Sequence, residues 1–151
     1  MRLLPAVMAS AALALAPVAA SMSTAAADDI WNAAIAVSPS TGAVGTISGP
    51  ASRKFEENAA KDLCARNGAT DCQVVTSFTN TCATVAKGVT TSKGEDGKDV
   101  RNAQFFAELG GDDDDETDAR QVRVLDACKA GAQECVLVTT YCAAFEQRTG
   151  I

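Results

Sequence analysis

Phe55–Val85 reads FEENAAKDLCARNGATDCQVVTSFTNTCATV, and Ala119–Phe145 reads ARQVRVLDACKAGAQECVLVTTYCAAF. Each stretch runs from a helix-patterned segment to a cysteine, a short connection, a second cysteine, a strand-patterned segment and a third cysteine. The six cysteines of the chain therefore fall into two sets laid out alike: Cys64, Cys72, Cys82 and Cys128, Cys135, Cys142. Laying ARNGATDCQVVTSF beside KAGAQECVLVTTY places Val74, Val75 and Phe78 opposite Leu137, Val138 and Tyr141. Such self-similarity speaks of fold rather than chemistry, because each copy is one supersecondary unit that needs its twin to bury a face.

Inside the first copy, Ser52 is placed to cap a helix over Arg53–Arg66. Phe55, Ala59, Ala60, Leu63 and Cys64 share one side at helical spacing, and Glu56, Glu57, Lys61 and Arg66 the other. Asn67-Gly68 stops the helix, since glycine adopts the left-handed conformation without steric cost. The strand after it, Cys72–Thr79, sets Cys72, Val74, Thr76 and Phe78 on one face. In the second copy a helix over Ala119–Ala130 is capped by Asp118 with Gln121 reciprocating, and Val122, Leu125 and Cys128 face inward. Cys135–Tyr141 repeats the strand, but Cys142 is out of phase with Cys135, so either a bulge intervenes or Cys142 has left the ladder.

Working outward, Ile30–Ser48 has the pattern of a β-hairpin. Trp31, Ala33, Ile35 and Val37 alternate onto one face, Pro39-Ser40-Thr41-Gly42 supplies the turn, and Ala43–Ile47 returns. Trp31 begins that alternation and reads as a core residue. Lys87–Asp99 is polar and carries Gly88, Gly94 and Gly97, which reads as a surface loop joining the halves; its spacing matches neither phosphate-binding glycine motif. NAQFFA at Asn102 echoes NAAIAV at Asn32, so Asn102–Gly110 is expected to hold a short strand that opens the second repeat. Asp112–Asp118 (DDDDETD) reads as a solvated run leading into the positive end of a helix. An EF-hand counted from Asp112 would need Gly and Glu where Thr117 and Arg123 stand, so no metal site is expected.

Composition narrows the function classes. The 151 residues suffice for one domain, over 28–148, with repeats at about 30–86 and 100–146. A net charge of −6 disfavours nucleic acid and anionic membrane surfaces as partners. The absence of histidine removes Ser/His and Cys/His catalytic pairs and histidine-containing metal sites. Met1–Ala27 has the layout of a signal peptide: Arg2, an apolar run from Leu3 to Ala16, Pro17, and small residues for cleavage after Ala20 or Ala27. No other stretch is long and apolar enough to span a bilayer. Export into an oxidising compartment makes three disulfides the expected state of the six cysteines. Close C-x-x-C pairs, the mark of metal or redox thiols, are missing: seven and nine residues separate the first three cysteines, six and six the second three.

WNAAIAVSPSTGAVG, the helix ending in Cys64, DCQVVTSFTNTCATVA and the second cysteine triplet together resemble a bacterial secreted family, domain of unknown function 4189. The resemblance covers Trp31–Phe145 and rests on Trp31, Ala34, Ile35, Ala36, Val37 and Ser38, with the D-C-x-V-V strand and the N-x-C after it. The acidic run and NAQFF stand where the resemblance implies a stretch bearing glycine and tryptophan. It implies export and the paired layout, and no activity, cofactor or catalytic residues.

The fold class expected is α+β: a small disulfide-stapled domain of two pseudo-repeats, with a mainly antiparallel sheet and two helices packed on it. Each helix end is followed by a short glycine-containing loop back to a strand. Of the fifteen possible pairings, this favours Cys64–Cys72 and Cys128–Cys135 within the copies and Cys82–Cys142 between them. The function expected is that of a secreted, non-enzymatic interaction module whose partner is a protein or envelope component, without cofactor or metal. The alternatives are an inhibitor of an extracellular enzyme, using Lys87–Asp99 as its loop, and a carboxylate-dependent hydrolase built on Asp112–Glu116.

Overall fold

The computed structural model describes residues 30–111 and 113–143; the leader expected over Met1–Ala27, Asp112 and the residues beyond Ala143 lie outside them. Two units follow one another with the same order of elements. The first comprises β1 (Asn32–Val37), β2 (Val44–Gly49), α1 (Arg53–Arg66) and β3 (Gln73–Thr79). The second comprises β4 (Cys82–Lys93), β5 (Asp99–Gly110), α2 (Asp114–Gly131) and β6 (Gln133–Cys142). The expected sheet is two three-stranded sheets, ordered β2-β1-β3 and β5-β4-β6, with every pairing antiparallel. The second unit starts at Cys82: β4, not the NAQFF segment, stands where β1 stands in the first unit, and NAQFF belongs to β5, the counterpart of β2.

Period-two alternation sorts the side chains into layers. Ala33, Ile35 and Val37 of β1 meet Ala83 and Val85 of β4 and Phe78 of β3 in a core between the sheets, with Trp31, Val75, Phe105, Val138 and Tyr141 half-buried against it. The opposite faces carry the helices. Ala34 and Ala36 lie under Ala60 and Cys64 of α1, and Ala86 lies under Val124 and Cys128 of α2. The order of layers is helix, sheet, sheet, helix. Small residues let α1 sit close: a Cβ on Gly45 would come within 2.1 Å of the Ala60 carbonyl oxygen.

Both closing strands bulge at the same place. On β3 the register slips between Ile35 and Ala36, leaving Val75 unpaired; on β6 it slips between Val85 and Ala86, leaving Val138 unpaired. The extra residue reverses the alternation, so Val75 and Phe78 point into the inter-sheet core while Cys72 packs on the α1 side. This corrects the single face expected for Cys72, Val74, Thr76 and Phe78. A bulge also resolves the phase of Cys142, which stays in the ladder opposite Cys82.

Both helices face inward along i, i+4, i+8 counted back from their cysteines. Glu56, Ala60 and Cys64 are buried in α1, and Arg120, Val124 and Cys128 in α2. Phe55 and Val122, expected inside, are 62% and 58% exposed. The cysteines are tied to the next strand, which fixes the rotation of each helix. Glu56 can occupy the inner row because Gly49 beneath it has no side chain; a Cβ there would lie 2.7 Å from its Oε1. Ser52 caps α1 as expected, its Oγ accepting from the Phe55 N–H at 3.3 Å. The second cap is Asp113 rather than Asp118, its Oδ1 accepting from the Glu116 N–H at 2.8 Å. Carboxylates of Asp114, Asp115 and Glu116 are favourable beside unpaired amide N–H groups, and these three residues form the first turn of α2.

Candidate functional site

The six cysteines form the bonds Cys64–Cys72, Cys128–Cys135 and Cys82–Cys142, the pairing favoured by their spacing. Such bonds are the mark of an oxidising environment. Two of them join the last turns of a helix to the start of the next strand, at Cys72 just before β3 and at Cys135 within β6. The third joins the first residue of β4 to the last of β6 and so closes the whole second unit into a ring. Sequence position alone suggested a tie between the two copies; with β4 assigned to the second unit, the bond lies within it.

Two polar clusters escaped the sequence. At the β1–β2 turn, the fully buried Ser38 donates its hydroxyl proton to Asp71 and accepts from the N–H of Thr41 at 3.0 Å. The second Asp71 oxygen accepts from the Ser40 N–H at 3.0 Å. Hydrogen bonds from Ser38 and then Ser40 hold the Asp71 carboxyl below its ordinary value of 3.8. Ser38 is thus a turn anchor whose hydroxyl is out of contact with solvent. Under α2, the fully buried Arg120 donates from Nε to Thr84 Oγ1 at 3.2 Å, from one terminal nitrogen to the Gly111 carbonyl, and from the other to Thr117 Oγ1 at 3.1 Å. Thr84 Oγ1 in turn contacts Thr140 Oγ1 at 3.0 Å. A helical pattern of apolar residues cannot announce such an arginine, because its partners come from a strand and a loop remote in sequence.

Among the described residues of the acidic run, Asp113–Glu116 do not form the paired carboxylates in a cleft that hydrolysis would need. Asp113 is a helix cap, Asp114 and Asp115 are exposed, and Glu116 binds Arg123 at 2.7 Å.

The feature that stands out from the compact body is the region read as a loop. Lys87–Asp99 is strand and tight turn: β4 runs to Lys93 and pairs without interruption with β5 from Asp99. The turn closes with the Gly94 N–H on the Lys98 carbonyl at 2.8 Å and the Gly97 N–H on the Gly94 carbonyl at 2.9 Å, with Gly97 at φ +75°. Asp96-Gly97 is a hairpin signal legible in the sequence, had it been set against the alternation of TTSK and DVRN around it. The β6 ladder reaches only to Val89, opposite Gln133. Beyond that point Thr90–Lys93 and Asp99–Asn102 form a two-stranded arm whose residues are almost all exposed. Lys93 binds Asp99 at 2.7 Å across the arm, and Lys98 binds Asp96 at 3.0 Å in its turn. The Lys98 side chain and then its backbone N–H hold the Asp96 carboxyl below its ordinary value. Arg101 pairs with Glu134 and ties the arm to the start of β6. Beside the root of the arm lies an open depression of about 380 Å³, between Val89–Thr91 and the Lys129–Gln133 segment that leaves α2.

No helix among the described residues is long and apolar enough to cross a membrane. A family model described as domain of unknown function 4189 matches residues 32–142, which takes in every strand and helix from the first residue of β1 to the last of β6. No curated protein and no solved structure matches the chain.

Proposed function

We propose that this chain, which belongs to the family described as domain of unknown function 4189, is an exported, non-enzymatic interaction module whose β4–β5 arm makes the contact with a protein of the cell envelope or extracellular space. The observation that carries the reading is the arm: strands of twelve residues each project past the six-residue frame of the first unit, and their ends present side chains to solvent on both faces. An isolated two-stranded ribbon is marginal in water, so rooting it in a sheet closed by a disulfide gives it a fixed shape at little entropic cost to a partner. The leader pattern of Met1–Ala27 and the three disulfides support export.

The test is crosslinking of the oxidised protein in its native culture fluid, run beside a variant in which Thr91–Arg101 is replaced by an Asn-Gly turn closing on the Thr90–Asn102 pair. A partner captured by the natural chain and lost with the arm supports the reading; capture unaffected by the trimmed arm overturns it. The inhibitor reading uses the same arm and differs in one outcome, namely that the captured partner is an enzyme and the arm survives its attack uncut.

A further inference from the structure

The arm carries an open strand edge. The register of β4 with β5 is unbroken, and the Gly94 N–H donates to the Lys98 carbonyl. In an antiparallel ladder, hydrogen-bonded pairs alternate with non-bonded ones. Gly94–Lys98 being bonded, Ser92–Val100, Thr90–Asn102 and Gly88–Gln104 are bonded too. The N–H and C=O groups of Val89, Thr91 and Lys93 therefore point the other way, toward the line of β6. Thr81 at the far end of the same edge keeps this phase, its carbonyl accepting from the Ala143 N–H at 2.9 Å. Val89 meets Gln133, the first residue of β6, and there that strand ends. Among the described residues no strand pairs with Thr91 or Lys93 on that side. The first unit leaves no such gap: β1 stops at Val37, which is paired with Val44 on one side and Gln73 on the other.

We infer that this gap is a strand-addition site for an extended peptide segment of the partner, continuing the ladder that β6 already makes on β4; the inference rests on the arm being the contact surface. Two features of the place select such an occupant. Unpaired main-chain donors and acceptors spaced two residues apart match an extended backbone and no other common ligand. The depression beside them is lined by Val89–Thr91 and by Lys129–Gln133, whose side chains are small except at Lys129 and Gln133. It has room for one modest side chain of the added strand. Arg101–Glu134 and Lys93–Asp99 are already paired, so main-chain bonding dominates and sequence preference is set at the depression.

The experiment selects a displayed random decapeptide library against the oxidised full chain. The best-recovered peptide is synthesised and titrated into the ¹⁵N-labelled natural chain and three variants. Thr91→Pro removes the edge donor, and the β4–β5 ladder does not use that N–H. Ala130→Trp fills the depression and touches no ladder. The trimmed arm removes the whole surface. Thr91 and Lys93 amides should exchange fast in the free protein and become protected on binding. Thr91→Pro and Ala130→Trp should each weaken binding by roughly tenfold or more, the worth of one or two main-chain hydrogen bonds. Protected amides at Thr91 and Lys93 in the free protein would overturn the proposal, as would recovery of no peptide above background. Self-association abolished by Thr91→Pro would assign the gap to a second copy and overturn it too. Binding lost with the trimmed arm but kept by both point variants sinks strand addition and leaves the arm reading standing; binding kept by all three variants sinks both.

Discussion

The two units place the same elements in the same order and differ most where β1 and β4 leave the shared frame. Ala36 and Ala86 occupy matching places under the helices, so two residues on Ser38 matches Gly88. Ser38 is held by Asp71 and Thr41, and the chain turns. At Gly88, where a Cβ would lie 2.7 Å from Cys128 Sγ, the strand runs on to Lys93. The residue before the second cysteine of each set diverges in step: Asp71 ties down the β1–β2 turn, whereas Glu134 ties Arg101 of the arm. The buried helix position diverges in charge, Glu56 in one unit and Arg120 in the other. One scaffold thus serves as a closed frame in the first unit and as the root of a projecting ribbon in the second.

The disulfides offer the largest way to break this comparison. Cys82–Cys142 spans 60 residues, while Cys64–Cys72 spans 8 and Cys128–Cys135 spans 7. On the chain-entropy account, replacing the long-span pair by alanines costs about 4 kcal/mol and either short pair about 2.5 kcal/mol. Guanidinium unfolding of the three double variants checks this ordering; equal losses would mean that the ring does not set the stability of the second unit.

Next in size is the buried pair of charges. Arg120→Ala opens a cavity and strands Thr84, Thr117 and the Gly111 carbonyl, which is expected to cost about 3 kcal/mol. Glu56→Ala, at the matching position above Gly49, is expected to cost about 1 kcal/mol. Urea unfolding distinguishes the two; a Glu56 variant as damaging as the Arg120 variant would show that the first unit hides a network of equal weight.

The smallest effect expected is at the β1–β2 turn. Because hydrogen bonds from Ser38 and Ser40 hold the Asp71 carboxyl below 3.8, its ionised form favours the folded state. That contribution is complete above the ordinary carboxylate value and disappears as pH falls through the lower folded value. Asp71→Asn should lower the unfolding midpoint at neutral pH, and the gap to the natural chain should close in acid. A gap independent of pH would mean that the carboxylate charge does not hold the turn. The carboxyl is open to solvent, so the shift is modest.

Both helices, the first hairpin and the two short-range cysteine pairs were legible because they rest on local signals: the Ser52 cap, turn residues and a cysteine near each helix end. Side-chain orientation within those elements was less so. Phe55 outranks Glu56 in hydrophobicity, yet Cys64, bonded to Cys72, rotates α1 so that Glu56 lies over Gly49. The bulges at Val75 and Val138 reversed alternation that an unbroken period of two would have kept. The arm was misread as a loop because TTSK and DVRN are polar, and polarity marks a strand exposed on both faces as readily as a loop. Its pairing, and the open edge at Thr91 and Lys93, depend on where β6 begins.

By itself the sequence determined the helix limits near Ser52 and Asn67 and the pairing of each helix-end cysteine with the next one along, since these follow from spacing along one chain. Only the tertiary structure decided that two sheets stack with helices outside, that Arg120 is buried on hydroxyls and a carbonyl, and that β4 outruns its neighbour. Those outcomes depend on which remote backbone lies across each residue, and no local periodicity encodes that.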